Sequence, residues 1–187
     1  MTSDPFLTVS GLALVVGGAL ATLGWLLFAA LDPDHAGYER RSWLPWNFLI
    51  ILGGTFTAMG LPGFYATYAD RGGVLGILGF VVLFVGVIIP NVAVHSIETS
   101  TMPDVPRRMM VWVAMGAPSE LVGAVLTSIA LLVSGAYPAW LPILMLAAVG
   151  LNLAGQLRRM PARYTRGFFP ALLTVVVSLA GILLLVA

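Results

Sequence analysis

Long apolar stretches without charge follow one another along this chain, separated by short polar breaks. A hydrocarbon core about 30 Å thick needs roughly 20 such residues per helix. On that scale the pattern predicts six crossings, at Phe6 to Leu31, about Trp46 to Tyr68, about Gly73 to Ser96, Met109 to Ser134, Pro138 to Gln156 and Gly167 to Ala187. The fourth and fifth are divided at the turn Ser134-Gly-Ala-Tyr-Pro138, where Gly135 and Pro138 act as stop and restart signals. The first run is preceded only by Asp4, lacks a basic leader and is too long for a signal-peptide core, so it is expected to be retained. The expected fold is an all-α polytopic bundle forming one transmembrane domain over residues 1–187.

Composition agrees with lipid as the solvent. Of 187 residues, 59% are hydrophobic and 9% charged, against roughly 25% charged in an average soluble chain. The mean hydropathy is +0.99. With no Cys, disulfides, thiolate metal sites and dithiol redox chemistry are excluded. A net charge of +1 leaves no basic surface for nucleic acid.

The arginines set the expected orientation, because positively charged loops stay cytoplasmic. Arg40 and Arg41 lie in loop 1–2, Arg107 and Arg108 in loop 3–4, and Arg158, Arg159, Arg163 and Arg166 in loop 5–6; Arg71 alone falls in loop 2–3. Loops 1–2, 3–4 and 5–6 are then cytoplasmic and both termini lie outside, in a bacterial inner membrane. Trp43, Trp46 and Tyr164 fall at interfacial positions.

Glycines at helical spacing, Gly11 with Gly18, Gly17 with Gly24, and the run Gly72, Gly73, Gly76, Gly79, suit close helix contact within the bundle or, for the third span, a dimer seam. Pro90 and Pro118 each remove an intrahelical hydrogen bond, freeing the carbonyls of Gly86 and Ala114, so kinks are expected there. Breaks of this kind are tolerated beside cavities, where side chains or water satisfy the backbone.

The most informative polar residues follow those prolines. Asn91, His95 and Glu98 are spaced i, i+4, i+7 on one face of the third span; Glu98 alone also reads as a solvated helix end. If the fourth span is continuous from Arg108, Glu120 lies about 18 Å along it, close to the midplane. A charged acid there costs about 2.5–3.5 kcal/mol, so partnering or protonation is expected. Alternatively Pro118 starts a new helix and Glu120 is a first-turn acid near the interface, facing His95 and Glu98. Asn152 and Gln156 stand at the same end of the fifth span. Together these residues predict a polar cavity open to the cytoplasm, with Trp112 as a wall; the competing reading is hydrogen bonding between helices.

Familiar catalytic and phosphate-binding motifs are missing. The His95-x-x-Glu98 spacing is that of metal sites in bundles, but those need such a pair from two helices plus two further acids, so neither metal nor cofactor is expected. Haem or pigment ligation by His95 lacks a second ligand in a span.

The segment Gly60-Leu-Pro-Gly-Phe-Tyr65, the glycine-rich run Arg71 to Phe80 and Gly135-Ala-Tyr-Pro-Ala-Trp140 resemble small multi-span bacterial membrane proteins of unassigned function, a likeness that implies architecture and no activity. In size, topology and buried acids the chain is also similar, more loosely, to integral-membrane terpene cyclases. That likeness implies acid-initiated cyclisation or isomerisation of a lipophilic, isoprenoid-like substrate, lyase or isomerase chemistry. Glu120 would be the general acid, His95 and Glu98 the relay or base, and Asn91, Asn152, Trp112, Phe48 and Phe56 the substrate contacts. The leading functional expectation is such an enzyme. The alternatives are a non-catalytic subunit or lipid-binding module, acting with a membrane partner or as a homo-oligomer, and a small proton-coupled transporter.

Overall fold

The computed structural model describes residues 4–31, 44–96, 110–161 and 163–186, and among them every regular element is a helix. We label them α1 (Pro5–Leu31), α2 (Leu44–Ala66), α3 (Ala69–Val87, continuing into a π-helical stretch, Ile88–Val94), α4 (Met110–Ser134), α5 (Trp140–Leu157) and α6 (Phe169–Val186, preceded by a π-helical turn, Tyr164–Phe168). Six helices are long and apolar enough to cross a bilayer, so the chain is a multi-pass membrane protein with lipid around it.

The helix ends differ from the hydropathy pattern where local hydrogen bonds outweigh charge. The turn between α2 and α3 shrinks to Thr67 and Tyr68, because the Tyr68 carbonyl accepts from the backbone N–H groups of Arg71 (3.2 Å) and Gly72 (2.7 Å). Asp70 therefore joins the first turn of α3, where the helix dipole favours an acid.

Prolines bend the pattern less than expected. At Pro90 the helix changes from α to π without ending, the usual way a helix absorbs an inserted residue or a lost bond. Pro118 lies inside a continuous α4, so the alternative in which a new helix starts there is not adopted. Pro62 is likewise inside α2.

The helices follow one another around a ring, and α6 closes it by packing on α1. The most extensive contacts join α1 to α2, α3 to α4, and α1 to α6, while α5 shares smaller surfaces with α4 and α6. Small residues explain the tight pairs. A methyl group on Gly17 would sit 2.5 Å from the Thr57 backbone nitrogen of α2, and one on Gly18 would sit 2.6 Å from the Thr174 carbonyl oxygen of α6. Gly24 faces α2 at Ile50, and Gly11 faces α6 at Leu185 and Gly181. The two heptad pairs of α1 thus serve two neighbours. On α3, a methyl on Gly79 would lie 2.7 Å from the Thr127 backbone nitrogen of α4, and one on Gly86 would run into the Glu120 backbone. Gly72 and Gly76 lie against Tyr68, so they and Gly79 serve contacts inside the bundle, while Gly73, at φ 53°, faces open space.

Candidate functional site: a carboxyl on the bundle axis

All six helices contribute to one small internal cavity: Ala21 of α1, Thr57 of α2, Asn91 of α3, Glu120 of α4, Met145 of α5 and Thr174 of α6 lie on its wall. Its volume is about 20 Å³, and a single water needs roughly 10–15 Å³ on that measure. The remaining wall is apolar, with Leu61, Leu83, Val87 and Leu173 among its residues.

Among the described residues, Glu120 is the only ionisable one on the wall. Its Oε2 accepts a long hydrogen bond, 3.4 Å, from Asn91 Nδ2. Two local features bring these side chains together. Gly86 has no side chain, so the backbone of α4 can approach α3 at Glu120; and the π-helical stretch carries Asn91, which lies buried beside Gly54 of α2. Thr174, also on the wall, has its hydroxyl 2.8 Å from that of Thr22 behind it and donates to the Ala171 carbonyl. The wall therefore offers a carboxyl, an amide and hydroxyls around room for one small polar guest.

The other predicted site residues are placed elsewhere. The His95 ring packs edge-to-face on Trp25, with centroids 5.4 Å apart, and His95 does not line the cavity. Asn152 is buried and accepts from Gln156 Nε2 at 2.6 Å; it stands two turns beyond Met145 and also does not line the cavity. Phe48 and Phe56 are corrections to the expected walls. They are 52% and 36% exposed and face outward, because α2 turns Gly53, Gly54 and Thr57 inward to meet its neighbours. Trp46, expected at the interface, instead packs inside against Phe28. Glu98 and the Trp112 side chain lie outside the described residues.

Sequence reasoning missed Thr57, Thr174 and Asn47. The two threonines sit in apolar runs, where a hydroxyl is normally satisfied by its own helix; their only signal is membership of faces that also carry small residues. Asn47 is buried, at 4% exposure, and its Nδ2 has no hydrogen-bond partner among the described residues. Among the described residues no group of three His, Cys, Asp or Glu side chains is arranged to hold a metal ion.

The opposite end of the ring is closed by aromatics. Tyr68, 1% exposed, packs edge-to-face on Phe64 (5.5 Å) and Tyr65 (5.4 Å), Tyr65 stacks on Phe80 (4.7 Å), and Phe64 meets Tyr137 (5.1 Å). Thr67 donates to the Tyr137 hydroxyl at 3.3 Å. No protein-family model, curated protein or solved structure matches this chain.

Proposed function

We propose that this protein is a small proton-coupled membrane transporter in which Glu120 binds and releases the coupling proton. The observation that carries the reading is the position of one carboxyl, with no cation beside it among the described residues, on a cavity that all six helices line. Intramembrane acids in bundle interiors commonly mark proton relays and ion pathways, and transporter sites lie near the midplane, between bodies that move against one another. Here the tight contacts group α6, α1 and α2 on one side and α3 with α4 on the other. Glu120 stands where these groups meet, so its protonation bears on how they pack. A cavity of about 20 Å³ suits a proton and a water.

The test is infrared spectroscopy of purified protein in lipid, following the protonated-carboxyl band from mildly acidic to mildly alkaline pH. We expect one carboxyl to titrate in the wild type and to vanish in Glu120→Gln, whose helix content and elution volume should be unchanged. A Glu120 that keeps one protonation state over this range, or a Glu120→Gln protein that moves protons into liposomes as the wild type does, would sink the reading.

Acid–base catalysis on a lipophilic substrate is the second reading, favoured by the apolar wall and by the smaller surfaces that bind α5 to its neighbours. An isoprenoid is far larger than the present cavity, so this reading needs α5 to part from α4 or α6. An isoprenoid-sized molecule enriched in the organic extract of the wild type, and altered in mass in Glu120→Gln, would favour it over transport.

A further inference from the structure

We infer that the connection between α5 and α6 is a binding site for the phosphate of an anionic phospholipid, held by Arg158, Arg159 and Arg163. The inference is independent of the role of Glu120 and starts from the distribution of charge. Loop 1–2 carries Arg40 and Arg41 with Asp32, Asp34 and Glu39, and loop 3–4 carries Arg107 and Arg108 with Glu98 and Asp104. In the 5–6 connection Arg158, Arg159, Arg163 and Arg166 fall within nine residues, and no acid follows Glu120 anywhere in the chain. This end of the bundle therefore has eight arginines against five acids, so even complete pairing among its loops leaves positive charge for an external anion. Arg158, Arg159 and Arg163 are exposed, and none of them makes an ion pair with a described residue.

The backbone gives the site a second, independent support. α5 ends in a Schellman turn, in which the N–H of Met160 donates to the Gly155 carbonyl (3.0 Å) and that of Arg159 to the Gln156 carbonyl (3.1 Å). Such a turn holds the residue after the cap in the left-handed region, where glycine is usual because a Cβ is disfavoured there. Here that residue is Arg159, at φ 50°, the one non-glycine residue with positive φ among the described residues. A strained position that keeps a long cationic side chain points to a use for that side chain. Beyond Pro161, Arg163 places its Cζ 5.1 Å from the centroid of the Tyr164 ring, and a guanidinium grips phosphate oxygens two at a time. The occupant is a lipid rather than a free anion because exposed apolar side chains border the same connection. Leu157 closes α5, Met160 lies in the turn and Phe168 leads into α6, all three exposed. A bilayer phospholipid covers these with its acyl chains while its phosphate meets the arginines, and basic residues at the ends of spans attract anionic lipid.

The experiment uses the full chain in detergent, offered phosphatidylglycerol and phosphatidylcholine in equal amounts, with retained lipid counted by native mass spectrometry. The wild type should retain phosphatidylglycerol in preference, and the preference should fall as salt is raised. Replacing Arg158, Arg159 or Arg163 by glutamine should weaken that retention about fivefold each, with helix content and elution volume unchanged, whereas Arg40→Gln should leave it as it is. Arg159→Gly keeps a turn that glycine favours, so binding lost there reports the guanidinium and not the fold, and Arg159→Lys should restore most of it. A wild type with no preference, an Arg159→Gly protein that binds as well as wild type, or an equal loss in Arg40→Gln overturns the site. Displacement of the lipid by soluble glycerol phosphate would show that a free phosphate suffices, and overturns the lipid as the occupant.

Discussion

The two halves of this bundle begin from the same cavity and use the same helices, yet they are filled by different chemistry. Moving toward the 2–3 and 4–5 turns, the inward positions become Leu14, Phe64, Tyr68, Leu131 and Leu141, nearly all without solvent contact, with the fully buried hydroxyls of Thr127 and Ser128 on α4 as the polar exceptions. Moving toward the arginine-bearing connections, inward positions on α2, α3 and α5 become Asn47, His95 and Asn152, while α1 supplies Phe28. Van der Waals packing is the main force between helices in lipid, so the first half has the means to be rigid. The second half trades some of that packing for groups that need partners. Glu120 sits at the junction, held by Asn91 from the polar half and walled by Leu61 and Leu83 from the apolar one. The lesson is that the surroundings of a single buried acid are set by residues two turns away from it as well as by its own neighbours.

The contrast breaks most severely if the aromatic half is opened. Tyr68→Ala should destabilise the bundle by about 3–5 kcal/mol, the usual cost of truncating a buried aromatic, measured by unfolding in mixed detergent. The same half should fail on its own in alkali. Burial raises the phenols of Tyr68 and Tyr137 above their ordinary value near 10. The unfolded chain therefore loses these protons first as pH rises. Their contribution to stability is complete below about pH 10 and is lost as pH climbs toward the raised folded values. Tyr68→Phe should flatten part of that alkaline decline, and an unchanged decline would show that other groups cause it.

At the junction itself the controlling residue is a glycine. Gly86 lets the backbone of α4 lie against α3 at Glu120, and a methyl group there has backbone in its way rather than the end of a flexible side chain. Gly86→Ala should cost about 1–3 kcal/mol, as overpacking does, and should displace Glu120 from Asn91, which the infrared titration would register as a shifted midpoint. A Gly86→Ala protein with wild-type stability and titration would mean that the approach of α3 to α4 does not position the acid.

How far these features can be read in the sequence depends on which force places them. The six spans follow from length and hydropathy, because the bilayer imposes both, and the heptad glycine pairs of α1 mark its two tight neighbours correctly. The start of α3 is not legible, because charge places Arg71 in loop 2–3, whereas the Tyr68 carbonyl draws Arg71 and Gly72 into a helix. The faces of α2 escaped for a more general reason. A span that is apolar all round carries no amphipathic mark of its inward side, so Phe48 and Phe56 read as walls as readily as Thr57 did not. Glu120 and Asn91 were legible, since a carboxyl and an amide deep in apolar runs are costly unless they meet. Their pairing was not, because it depends on the π-helical stretch around Pro90 and the contact at Gly86, which join helices far apart in sequence.

The smallest expected effect probes the polar half where it has its own support. Asn152 is buried, but its Oδ1 already accepts from Gln156 at 2.6 Å, whereas Asn47 has no such partner for its Nδ2 among the described residues. Leucine at position 152 removes that bond, and Gln156, exposed at the end of α5, turns to water. Polar contacts between side chains in membrane bundles average about 0.6 kcal/mol in double-mutant cycles, so Asn152→Leu should change stability by about that amount in the same detergent titration. A loss of stability approaching that of Tyr68→Ala would mean that the arginine-bearing half is packed as tightly as the aromatic one.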